Sequence, residues 1–163
     1  MKNRTFITLA IGTVLVAIMG CNNKNVDQLR IGVDLPLTGD VAYYGTSAKN
    51  GIELAKQQLL ETPAFNGKTI DLIYEDNQGQ GKNAAIAMAK LASADGVPAV
   101  IGRGSSTETM AAAPTAEKTR TVLISPVSSA TSVSTAGDFI FRTCPSDLTQ
   151  AQDLGDWMFS QIQ

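Results

Sequence analysis

Three stretches of this chain gather residues that can grip a small ligand without reacting with it. They are Pro36-Leu37-Thr38-Gly39-Asp40-Val41-Ala42-Tyr43-Tyr44-Gly45, Gly102-Arg103-Gly104-Ser105-Ser106-Thr107 and Ser125-Pro126-Val127-Ser128-Ser129-Ala130-Thr131. Glycine lets backbone N–H groups come close to a ligand, and a helix that begins just after such a stretch favours an anion such as a carboxylate. Hydroxyls at Ser106 and Ser129 add donors without adding charge. Taken singly, each Ser or Thr is better explained as an N-cap or turn residue. The recurrence of the pattern in three places is what favours ligand capture.

Catalysis is hard to build from the same inventory. The sequence has no His and two Cys, which removes imidazole-based metal sites and Ser/His or Cys/His nucleophile pairs. No catalytic residue, metal ligand set or cofactor is therefore expected. GRGSST lacks the third Gly of a dinucleotide fingerprint, and GQGKNA has a Gly-Lys pair without the upstream Gly or a following Ser/Thr, so neither reads as a nucleotide motif. Glu75 and Asp76 are adjacent at the end of an apolar run, where successive side chains point to opposite faces, so they read as solvated loop carboxylates.

The amino terminus has the order of a secretory signal. Lys2 and Arg4 precede the apolar run from Phe6 to Met19, followed by Gly20 and Cys21. The run is too short for a membrane span of about 20 residues. Of 13 basic side chains, those two lie in the segment expected to be removed, leaving 11 against 15 acidic ones. That balance argues against nucleic acid as a partner, since binding its phosphates needs a basic patch. Hydrophobic residues at 44% and charged residues at 17% are ordinary for a folded globular chain.

The segment Ile18-Met19-Gly20-Cys21 resembles a bacterial lipobox, in which the thiol is acylated and the signal is cut just before it. Ile18 and Met19 depart mildly from its commonest residues, so cleavage without lipidation stays open. With each buried CH₂ contributing about 0.8 kcal/mol, acyl chains on Cys21, palmitate among them, would hold the protein to a membrane. Residues 1–20 are thus expected to be a lipoprotein signal peptide and 21–28 a polar tether. Cys144 reads as a small core residue.

From Leu29 onward strands and helices alternate. RIGVDLPL, TIDLIY, PAVIG, TVLISP and FIFRT are short apolar runs bounded by Gly, Pro or polar residues, and read as five strands. Between them Ile52, Ala55 and Leu59, then Ala84, Ala87, Met88 and Leu91, then Thr109 to Glu117 have helical spacing. Such alternation predicts an α/β fold with right-handed crossovers and a mostly parallel sheet flanked by helices. The three ligand-gripping stretches then follow strands one, three and four, where open parallel sheets bind ligands. Residues 29–145 form one lobe on this reading. The tail from Ser146 or Asp147 as N-cap, with Leu154, Trp157 and Met158 at helical spacing, is expected to begin a second lobe over 146–163 that is absent here.

Four segments in order, IGVDLPLTGDVAYYG, YEDNQGQGKNAAIAMAKLASADGVPAVIG, RGSSTETMAAAPTAEKTRTVLISPVSSATSVS and FIFRTCPSD, resemble the branched-chain amino acid (leucine/isoleucine/valine) solute-binding proteins of ABC transporters, which have the type I periplasmic-binding-protein fold. The resemblance implies two α/β lobes that close on a ligand. By the same resemblance the first lobe holds an amino acid through Ser106, the backbone of Val127 and Ser129. Ser105 and Thr107 flank the first of these contacts, and Tyr44 covers the ligand. The disulfide of some relatives has no counterpart, because Gln78 and Ser105 stand at those places.

The expectation is therefore an exported, lipid-anchored, extracytoplasmic solute-binding component, not an enzyme, that delivers an aliphatic amino acid or related amide to an ABC permease. A sensory or regulatory ectodomain built on the same lobe is the alternative, and an exported hydrolase a more remote one. A lone lobe leaves much of its ligand in water, so on its own it is expected to bind weakly or not at all.

Overall fold

The computed structural model describes residues 27–162. The expected signal peptide, Cys21 and all but the last two residues of the expected tether lie outside the described residues. Within them, no helix is long and apolar enough to cross a membrane.

Each apolar run forms a strand: β1 (Gln28–Leu35), β2 (Thr69–Asp76), β3 (Ala99–Gly102), β4 (Val122–Ser125) and β5 (Ile140–Arg142). β1 opens one residue before the expected boundary at Leu29. Helices fill the intervals: α1 (Ala42–Leu60), α2 (Gly81–Ala89), α3 (Ser106–Thr119) and α4 (Asp147–Ile162). A π-helical turn, Lys90–Ala94, continues α2. There Lys90 Nζ reaches Glu75 at 2.5 Å and Asp95 at 3.1 Å.

All four strand pairings are parallel, and the sheet order is β2-β1-β3-β4-β5. This order carries the chain to one side from β1 to β2 and to the other side from β2 onward. Right-handed crossovers then place α1 on one face, with α2 and α3 on the opposite face. The packing agrees. Met88 and Leu91 from the second helical segment, Ala112, Ala113 and Ala116 from α3, and Val100 and Leu123 from the sheet share one core. Small residues on α3 let it lie close to the sheet and to α2.

Gly45 explains how α1 sits so near the loop after β1. A Cβ at this position would fall 2.0 Å from the carbonyl oxygen of Pro36, so only glycine permits the contact. α4 starts at Ser146, whose hydroxyl accepts the N–H of Thr149 at 3.0 Å as an N-cap. No residue of α4 is buried, and Trp157 and Phe159 are 61% and 73% exposed. Cys144 is half-buried rather than a core residue.

Candidate functional site

In sheets of this order the connections reverse direction between β1 and β3, and the loops leaving their carboxyl ends diverge to open a crevice. A cavity of about 320 Å³ lies there. It is lined by Leu35 and Pro36 from the end of β1, Tyr44, Gly45 and Ala48 from α1, Arg103 and Gly104 after β3, and Pro126 and Val127 after β4. A smaller space of about 170 Å³ adjoins it, sharing Pro36, Tyr44 and Gly104 and adding Ser105 and Glu108. The three stretches that stand out in the sequence thus meet at one place.

Tyr44 and Val127 form the apolar walls, being 60% and 51% exposed at the cavity. The Tyr44 ring stacks on Tyr43 with centroids 3.9 Å apart. Ser105 is the N-cap of α3: its oxygen accepts the N–H of Glu108 at 3.3 Å, and its hydroxyl donates to the Glu108 carboxylate at 2.9 Å. The Glu108 carboxylate thus returns to the cap through the Ser105 hydroxyl and the N–H of Gly104, a variant of the capping box, in which it would accept the N–H of the cap residue itself. Among the described residues, no hydrogen bond uses the N–H of Ser106 or Thr107, which are the free donors a helix start leaves for an anion.

The Ser106 hydroxyl oxygen accepts the N–H of Ala130 at 3.1 Å and so ties the loop after β3 to the loop after β4. Ser129 presents its carbonyl to the N–H of Asp147 at 2.8 Å and to the Arg142 guanidinium at 3.2 Å. The same guanidinium nitrogen also donates to the carbonyls of Ser128 and Ala130. Of the six expected residues, Tyr44 and Val127 line the larger space and Tyr44 and Ser105 the smaller one, whereas Ser106, Thr107 and Ser129 line neither. The Thr107 methyl lies toward Gly81 at the start of α2.

A buried polar cluster, two of whose members, Arg103 and Glu108, reach the cavity walls, is not apparent from the sequence alone. Asp34, Asn77, Arg103 and Glu108 are all buried. Arg103 donates to Asp34 Oδ2 and to the carbonyl of Ala84, and Asn77 Nδ2 donates to Glu108 Oε2 at 3.0 Å. Glu108 Oε2 also accepts the N–H of Gly104 at 2.9 Å. Burial pushes the Asp34 carboxyl up to about 6 even against the pull of the Arg103 guanidinium, and burial likewise lowers that guanidinium. Two signals point this way in the sequence: an acid inside the apolar strand IGVDLPL, which must have a partner, and Ser105-x-x-Glu108, which spells a capping box.

Asp76 is likewise more than a solvated carboxylate. It accepts the N–H groups of Leu37, Thr38 and Gln78 at 2.9, 3.2 and 2.9 Å and the Thr38 hydroxyl at 2.5 Å. The first loop is thereby clamped to the end of β2. Slight burial works against its ionisation, but these donors outweigh it and hold the carboxyl below the usual range. Among the described residues no cluster of His, Cys, Asp and Glu could hold a metal ion. The arrangement offers an apolar slot, unpaired N–H donors and hydroxyls, which suits a small molecule with one anionic end.

Comparison with known proteins agrees with this geometry. Residues 28–163 match the family model described as periplasmic binding protein. A Leu/Ile/Val-binding protein homolog of Brucella abortus is 28% identical over 157 residues, covering 96% of this chain and 42% of its own length. The branched-chain amino acid transporter substrate-binding protein LivJ of Streptococcus pneumoniae, in complex with isoleucine, superposes with a TM-score of 0.69 at 29% identity, covering 74% of this chain and 34% of that one. A solute-binding protein of an ABC transporter from Rhodopseudomonas palustris, in complex with 3,4-dihydroxybenzoic acid, gives 0.67 at 27% identity over 74% and 32% of the two chains. The chain spans less than half the length of these relatives.

Proposed function

The chain belongs to the periplasmic binding protein family, and from that premise we propose that it supplies the first ligand-binding lobe of an extracytoplasmic solute-binding component of an ABC transporter. The cargo is a small amino acid with an aliphatic side chain. The observation that carries this reading is the cavity between the carboxyl ends of β1 and β3, walled by Tyr44 and Val127, with an adjoining space that reaches Ser105 and Glu108 at the start of α3. The α-carboxylate sits against the N–H and hydroxyl of Ser106 and the hydroxyl of Ser129, with Ser105 shaping that corner and Thr107 contributing through its backbone N–H. The side chain lies along Tyr44 and Val127.

On this reading residues 1–20 export the protein, Cys21 carries the lipid anchor, and residues 21–28 tether the lobe outside the cytoplasmic membrane. Residues 29–145 form the lobe and 146–163 lead into a second one that closes over the ligand. The protein hands its cargo to a membrane permease and performs no catalysis. A sensory role would use the same capture step and differ only in the partner that reads it.

Calorimetric titration of the full-length protein with L-isoleucine, L-leucine, L-valine, acetamide and 3,4-dihydroxybenzoate tests the cargo. Tight binding of an aliphatic amino acid supports the reading. Binding of the benzoate alone, or of none of the five by folded protein, overturns it.

A further inference from the structure

Asp34 and Arg103 are a buried pair at the cavity, which Arg103 itself helps to line. Arg103 is the first residue beyond β3 and adopts a φ of 80°, directly after Gly102 at 134°. A non-glycine side chain seldom holds such a conformation unless the surroundings impose it. Here both ends of the residue are fastened: its N–H donates to the carbonyl of Asp34 at 2.7 Å, and its guanidinium donates to the Asp34 carboxylate. The guanidinium also donates to the Ala84 carbonyl at 3.1 Å and lies 3.3 Å from the sulfur of Met88. The chain that follows is Gly104 and Ser105, which line the cavity and the space adjoining it, and then Ser106 at the start of α3.

We propose that Asp34 and Arg103 are positioning residues for ligand binding, holding the turn after β3 in its left-handed form so that Gly104 and Ser105 line the cavity region and the first turn of α3 begins beside it. This rests on the reading that the cavity binds the ligand. The pair adds little to net stability by itself, because taking two charges out of water offsets most of their attraction. No protein group among the described residues bonds Asp34 Oδ1 or Arg103 Nε, which further limits the stabilisation the pair supplies. Its contribution is the direction of the loop.

The test uses the full-length protein and L-isoleucine, comparing wild type, Ser106→Ala, the double variant Asp34→Leu/Arg103→Met, and the triple combination. Replacing both charges by apolar side chains leaves no unpaired buried charge, so the double variant is expected to melt close to wild type. Positioning predicts a Kd raised at least tenfold in that folded protein. It also predicts that Ser106→Ala then costs less than in the wild-type background, because the loop already faces away. A wild-type Kd in the folded double variant, or full additivity with Ser106→Ala, overturns the proposal while leaving the binding reading intact. Arg103→Lys serves if the double variant does not fold: it keeps the charge but on a shorter stem and without the second terminal nitrogen that lies against the Met88 sulfur, so a several-fold weaker Kd is expected and an unchanged one overturns the proposal. Absence of isoleucine binding by folded wild type overturns the reading and the proposal together.

Discussion

The oxygen of Ser106 accepts the backbone N–H of Ala130 at 3.1 Å, so the side chain assigned to the ligand also joins the loops that leave β3 and β4. One hydroxyl can serve both, because its oxygen accepts from Ala130 while its hydrogen remains to donate. Ser106→Ala should therefore weaken isoleucine binding by about 1 to 3 kcal/mol, the usual cost of leaving a partner unpaired. Calorimetry reads the loss, and a melting curve confirms that the lobe remains folded.

Tyr44 is expected to separate binding from stability. Its ring is 60% exposed, so Tyr44→Ala should leave the unfolding free energy within about 0.5 kcal/mol of wild type. Losing the apolar cover should weaken the ligand by roughly 1 to 2 kcal/mol. Denaturant titration and calorimetry on the same preparation check the two halves.

Gly45→Ala is expected to do the opposite. The added methyl would stand 2.0 Å from the Pro36 carbonyl oxygen, a rigid backbone atom, so α1 must move away from the loop after β1. Destabilisation of at least about 2 kcal/mol should follow, as for overpacked cores. Thermal denaturation measures it.

Asp76 predicts an acid limit. Its carboxyl titrates below the usual value of 3.8 in the folded protein because of hydrogen bonds from the first loop. The sign is that of any depressed carboxylate: the stabilisation is present above the unfolded value and is lost as pH falls through the folded one. Thermal stability should thus decline below about pH 4, and Asp76→Asn should be less stable than wild type at pH 7 yet converge with it in acid. Melting temperatures of both proteins between pH 3 and pH 7 decide this.

The five strands were legible because each is an apolar run closed by Gly, Pro or a polar residue, as in Ala99–Gly102 and Val122–Ser125. α3 was legible from Thr109 to Glu117 but not at its start, since Ser105 and Ser106 are each open to a cap reading and a ligand-contact reading, the cap being favoured for either one alone. In the structure Ser105 is the cap and Ser106 bridges two loops. The buried layer was not legible as an arrangement. Asp34 and Arg103 are 69 positions apart, and Asp76 reaches Leu37 across 39. A sequence says that a charge in a buried strand needs a partner; which partner depends on β1 lying between β2 and β3. Cys144 shows the converse, since a free cysteine reads as a small core residue by residue type alone, and the sheet leaves it half-buried.

The most direct test of the account is a crystal structure of the full-length protein grown with L-isoleucine. The account predicts the ligand between the carboxyl ends of β1 and β3, its carboxylate within about 3.2 Å of the Ser106 hydroxyl or first-turn N–H groups and its side chain against Tyr44 and Val127. Isoleucine bound elsewhere on the fold, or a cavity left unoccupied at saturating ligand, would contradict it.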